Sequence, residues 1–131
     1  MTDRTSALNA IAVGDIIHAS ATNGASFPSL VLEVTEGKIM ARRVTTQDVH
    51  VFDRRTGISD ADGSPITIDS VAPLPPDIFE VMLGLDRKYG TLIRQYAANP
   101  DWIGDPEASK LTEAEKHGLL FIAKFYPSNP I

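Results

Sequence analysis

The sequence contains no cysteine. That absence excludes a disulfide framework, a thiol nucleophile, a cysteine zinc site and an iron–sulfur ligand set. Long apolar runs are missing too. Nothing approaches the roughly 20 residues a membrane helix needs, and the opening MTDRTSALNA lacks a signal-peptide apolar core. Basic residues are in deficit: 12 Lys and Arg stand against 17 Asp and Glu, for a net charge of −5. Such a balance argues against a surface built as a whole to coat nucleic acid. Catalytic motifs are lacking as well, with no GxSxG elbow, no SxxK, no HExxH and no glycine-rich phosphate loop. The expectation is a soluble, cytoplasmic chain that is not an enzyme and has no catalytic, cofactor or metal site.

What is present describes one domain. A chain of 131 residues, 43% hydrophobic and 22% charged, buries roughly two-thirds of its unfolded surface and needs no covalent staple. Residues 1–10 read as a flexible N-terminus. Residues 11–72 are rich in Val, Ile and Thr with glycine punctuation, which is strand chemistry. Short strands are expected at Ile11–Val13, Ile16–Ala19, Leu30–Thr35, Ile39–Thr45, Val49–Phe52 and Ile66–Ile68. A loop at Ser20–Ser29 and turns at Gly14-Asp15, Glu36-Gly37, Gln47-Asp48 and Asp62-Gly63 separate them. For Glu36-Gly37 the expected reason is a glycine at positive φ. Strands this short and closely spaced suggest a small antiparallel barrel.

Residues 73–131 switch to helical spacing. Pro73-Leu74-Pro75-Pro76 stops the sheet and presets φ for a helix start. Ile78, Met82, Leu85, Tyr89, Leu92 and Tyr96 then recur every three or four residues, one stripe of a helix over about Asp77 to Ala98. Gly84 and Gly90 weaken it, and a break near Gly90 is one expectation. After a loop around Trp102, Thr112-Glu113-Ala114-Glu115 matches a capping box opening a second helix that ends near Tyr126, before Pro127. The fold class expected is α+β, a barrel followed by two helices packed with it as one unit.

Few residues carry chemistry. His18, His50 and His117 are not at ligand spacing, although His18 and His50 both fall on strands. Ser59-Asp60-Ala61-Asp62-Gly63 looks like a calcium loop, but Ile58 would fall at the first ligand position, so a hairpin turn is the better reading. Charge is uneven: residues 38–55 hold Lys38, Arg42, Arg43, Arg54 and Arg55 against Asp48 and Asp53, a local +3 that leaves −8 elsewhere. Phe52 is the only aromatic in that segment, too few for a base-stacking platform. Arg42, Arg43, Arg54, Arg55 and the lone Trp102 are therefore the candidate partner-binding residues. A protein partner is expected, because interfaces depend on a few aromatic and arginine anchors. Nucleic acid bound through the basic segment is the alternative, and a homo-oligomer stays open.

Val13-Gly14-Asp15-Ile16-Ile17, Leu30-Val31-Leu32-Glu33-Val34 and Phe52-Asp53-Arg54-Arg55-Thr56-Gly57 together resemble the small SH3-like barrels of uncharacterised bacterial and phage proteins. The resemblance covers residues 11–72 and implies a barrel. It carries no functional residue, since that architecture serves protein, RNA and structural roles alike.

Overall fold

A computed structural model describes residues 3–60, 64–98 and 110–131. Strands β1 (Ile16–Ala21), β2 (Ser26–Val34), β3 (Lys38–Arg43), β4 (Val49–Asp53), β5 (Ile58–Ser59) and β6 (Ile66–Ser70) pair in the order β4-β3-β2-β1-β6-β5. Every pairing is antiparallel, and the sheet curls into a nearly closed barrel. Helix α1 (Arg4–Asn9) precedes it, and helices α2 (Pro76–Ala98) and α3 (Glu113–Phe125) follow. The fold is α+β with a small barrel, as the sequence implies.

Two-residue alternation builds two cores from one sheet. Ile17 and Ala19 of β1, Val31, Ile39, Ala41, Phe52 and Ile68 fill the barrel. Ile16, Leu30 and Val44 face the other way and pack against Ile78, Met82, Leu85, Ile122 and Tyr126 of the helical half. A bulge keeps β2 in phase. Its register with β3 shifts between Val31 and Glu33, so Val31 and Val34 both reach the barrel core. Helix α2 runs through Gly84 and Gly90 without a break, because packing of its stripe outweighs the roughly 1 kcal/mol each glycine costs. At Gly118 the bare backbone lets α3 approach α2, where an added Cβ would lie 3.1 Å from Val81 Cγ1 and 3.2 Å from Met82 Cε. Thr112 and Glu115 form the expected reciprocal capping box, and Lys88 Nζ ties α2 to that cap through Glu115 at 2.9 Å.

Several local expectations need correction. Within the expected flexible N-terminus, residues 1–10, Arg4–Asn9 form α1. Asp3 caps α1 by accepting from the Ser6 N–H at 2.7 Å, and Leu8 and Ile11 enter the barrel core. Ile11–Val13 is not a strand. Asp15 instead binds the Ala12 N–H through its carboxylate at 2.8 Å and the Val31 N–H through its carbonyl at 2.9 Å, which makes a turn docked on β2. The expected loop Ser20–Ser29 is largely strand, since β2 starts at Ser26 and Pro28 supplies a carbonyl to the Val44 N–H at 3.1 Å. Gly37 is not at positive φ; Thr35 holds that turn by exchanging bonds with Lys38. Gly57 does need its freedom. At φ 72°, an added Cβ would lie 2.5 Å from Arg4 Nη2, the guanidinium that donates to the Thr56 and Ile68 carbonyls. The Asp62-Gly63 turn lies outside the described residues.

Candidate functional site

The four candidate arginines do not share a surface. Arg42 and Arg43 stand at one end of the β3–β4 hairpin, where Arg42 faces Val49. Arg54 and Arg55 follow the other end, where Lys38 faces Asp53. Four residues of strand, about 13 Å, separate those two pairings. Successive residues also point to opposite faces. Arg42 reaches outward to α2 and forks onto Asp86, Nε to Oδ1 at 2.9 Å and Nη2 to Oδ2 at 2.6 Å. Arg43 places its guanidinium 4.3 Å from the centre of the Phe27 ring, a cation–π contact. Arg54 bridges the Thr35 carbonyl at 3.0 Å and the Asn9 carbonyl at 2.9 Å, tying α1 to the barrel. Arg55 is exposed, and its N–H binds the Asp53 carboxylate at 2.8 Å in the turn. Trp102 lies outside the described residues.

Asp86 is the anchor that sequence reading missed. It sits at the margin of the hydrophobic stripe and is only 5% exposed. Gln47 adds a third bond, Nε2 to Oδ1 at 3.0 Å, while also donating to the Val44 carbonyl at 2.9 Å. Gln47 holds φ at +67° in the β3–β4 turn, where its N–H donates to the Arg43 carbonyl at 2.8 Å, a left-handed conformation costing a non-glycine residue about 1–2 kcal/mol. Burial alone would raise the Asp86 carboxyl, but the hydrogen bonds from Arg42 and Gln47, and the charges of Arg42 and Arg87, hold it below the ordinary range. Glu115 is depressed likewise, by the Thr112 N–H and Lys88 acting against desolvation, the largest single influence. A folded carboxyl that binds its proton less readily than the unfolded one stabilises fully above the unfolded value, about pH 4. That stabilisation disappears as pH falls through the depressed native value. The melting temperature should therefore hold from neutral pH down to about pH 4 and drop below it, as circular dichroism melts would read. A profile that stays flat below about pH 4 would contradict the pairing.

A second polar cluster sits where β1 meets β6. The register shifts between His18 and Ala19, which bulges Asp69 toward its neighbours. Asp69 accepts from His18 Nδ1 at 2.6 Å and from the Ser20 hydroxyl. The buried His18 ring stacks on Tyr126 at 4.8 Å between centroids. Burial, with the charge of Asp69 adding to it, pushes the Tyr126 phenol well above its ordinary value. Ser, His and Asp are all present here, but the hydroxyl bonds the carboxyl group and not the imidazole, so this geometry does not activate a nucleophile. Its evident work is to seat the C-terminal segment, which also gives the Ile131 N–H to the Asp69 carbonyl at 2.9 Å and takes the Ser70 hydroxyl on the Asn129 carbonyl at 2.6 Å. His50 lies on the opposite face of the sheet, between Phe27 and Phe52, so the two histidines do not meet. Among the described residues no helix is long and apolar enough to cross a membrane, and no group of three or more His, Asp or Glu could hold a metal ion.

Strand β4 carries two exposed valines. Val49 is 50% and Val51 41% exposed. The Arg43 N–H donates to the Asp48 carbonyl at 2.7 Å and the Arg54 N–H to the Gly37 carbonyl at 3.0 Å. In an alternating antiparallel ladder, the hydrogen-bonded partners between them are Ala41 with His50 and Ile39 with Phe52. Val49 and Val51 therefore turn their N–H and C=O groups away from β3, toward the side of β4 that pairs with no strand among the described residues. Strand β5, beyond the turn, is two residues long and pairs only with β6. An edge with two outward-facing peptide units and two exposed valines is a template for another strand. No protein-family model, curated protein or solved structure matches this chain.

Proposed function

We propose that this chain is a non-catalytic, cytoplasmic protein-interaction module on an SH3-like barrel, docking an extended segment of a protein partner as an added strand along β4. The unpaired N–H and C=O groups of Val49 and Val51 carry the reading. Main-chain hydrogen bonds supply affinity in strand addition, and alternate side chains supply specificity. Exposed Arg55, just past the Asp53 end of the strand, is placed to meet an acidic partner residue. The nucleic-acid alternative loses support from the same geometry: Arg42 and Arg54 are held by intramolecular bonds, and Arg43 lies over Phe27.

Val51→Pro tests the proposal cleanly. Proline removes an N–H that makes no ladder bond to β3, a tolerated change on an edge strand. The variant should melt within a few degrees of wild type yet lose the partner recovered with wild-type protein. Retained partner binding with an intact fold would overturn strand addition. Wild-type binding to single-stranded DNA or RNA at about 50 mM salt that weakens steeply with added salt would favour the alternative.

A further inference from the structure

We propose that a cleft between the β3–β4 turn and helix α2 binds a small phosphate-bearing ligand. The cleft measures about 220 Å3 and is lined by Arg42, Gln47, Arg87, Gly90, Thr91 and Arg94, with Asp86 at its inner end. One carboxylate, Asp86, forked by Arg42 and within the field of Arg87, faces three arginines, so among the described residues the lining carries a surplus of two positive charges. Arg87 and Arg94 are seven residues apart on α2, close to two full turns, so both side chains leave one face of the helix from positions about 10 Å apart along the axis, and the Arg94 guanidinium folds back over Gly90. Gly90 sits between them. A side chain there would close the floor, since a Cβ would lie 3.0 Å from Gln47 Oε1 and 3.4 Å from Arg94 Nη1. Thr91 adds a hydroxyl already within 3.3 Å of Arg94 Nη2, which steers that guanidinium toward the cleft.

This is a local +2 in a chain of net charge −5, and it lies on α2, outside the basic segment that the sequence makes conspicuous. Guanidinium forks present paired N–H donors to two oxygens of one phosphate, with several donors per group. The volume falls below the roughly 300–1,000 Å3 of clefts that take drug-sized ligands. A single phosphoryl group with a few attached atoms fits it, and a polymer does not. The inference is independent of strand addition at β4, and either can fail alone.

The test is a titration of the full chain with inorganic phosphate and with O-phosphoserine, followed by two-dimensional amide NMR. Saturable shifts centred on Gly90 and Thr91 are expected for both probes. Arg87→Gln/Arg94→Gln, both exposed positions, should weaken binding at least about tenfold with the melting temperature kept. Lys38→Gln/Lys124→Gln, both exposed positions, removes the same charge elsewhere and should leave binding unchanged. A response that does not saturate, an equal loss in both double variants, or a response to a single-stranded oligonucleotide alone would each overturn the proposal.

Discussion

Cutting the chain after Pro76 is expected to leave a product that aggregates or fails to fold. The barrel's outer face is part of the second core. Ile16 and Val44 are 5% and 0% exposed, and Leu30 packs beside them, all against α2 and α3. Returning three such side chains to water costs about 1.5–3 kcal/mol each, about 4.5–9 kcal/mol together, a large share of the roughly 5–15 kcal/mol by which a typical domain is stable. The cut also removes the Tyr126 ring from His18, the Asn129 carbonyl that accepts from the Ser70 hydroxyl and the Ile131 N–H that donates to the Asp69 carbonyl. Size-exclusion chromatography and a thermal melt report the outcome. A monomeric fragment with a cooperative melt would show the helices to be an appendage.

Arg42→Ala should be the most damaging single substitution among the candidate arginines. It strands the Asp86 carboxylate in a site where that residue is 5% exposed. Breaking a fully buried ion pair from one side costs about 3–5 kcal/mol. Here the arginine side chain is itself 31% exposed, which lowers the expectation to about 2–3 kcal/mol, or a fall of roughly 8–12 °C in melting temperature. Adding Asp86→Ala should restore part of that loss, because it removes the stranded charge. The deficit should also begin to shrink above about pH 4 as pH falls, because without Arg42 burial favours the protonated Asp86, which no longer requires its partner. By contrast Arg55→Glu, at an exposed side chain, should leave the melt unchanged. Equal stability losses at Arg42 and Arg55 would contradict the division of roles.

Large periodic features were legible before any coordinates. The 3.6-residue stripe from Ile78 onward gave α2 nearly to the residue, and the side-chain logic of Thr112 and Glu115 gave the start of α3. The barrel followed from strand and turn chemistry. Short elements were not legible. Helix α1 has six residues, too few for a periodic pattern, and it is held by the long-range bonds of Arg4 and Arg54 to backbone carbonyls. Charge counting saw Arg42, Arg43, Arg54 and Arg55 as one patch, because strand alternation and the partners of Arg42 and Arg54 are tertiary facts. Asp86 was hidden as one more polar residue on an amphipathic helix. Its only local trace is its place three residues after Leu83 and four after Met82, at the margin of the apolar stripe. The open side of β4 follows from ladder parity, which needs the register of β3 against β4.

The most direct test of strand addition is photo-crosslinking from β4 in cells that express the chain. A photoreactive amino acid at Val51 should yield a discrete adduct to one protein, and the same probe at Leu120, which is 66% exposed on α3, should not. The adduct should vanish when Val49→Pro is placed on the same chain, because that change removes the neighbouring edge donor. Equal crosslinking from both positions, or adducts to nucleic acid alone, would contradict docking along β4.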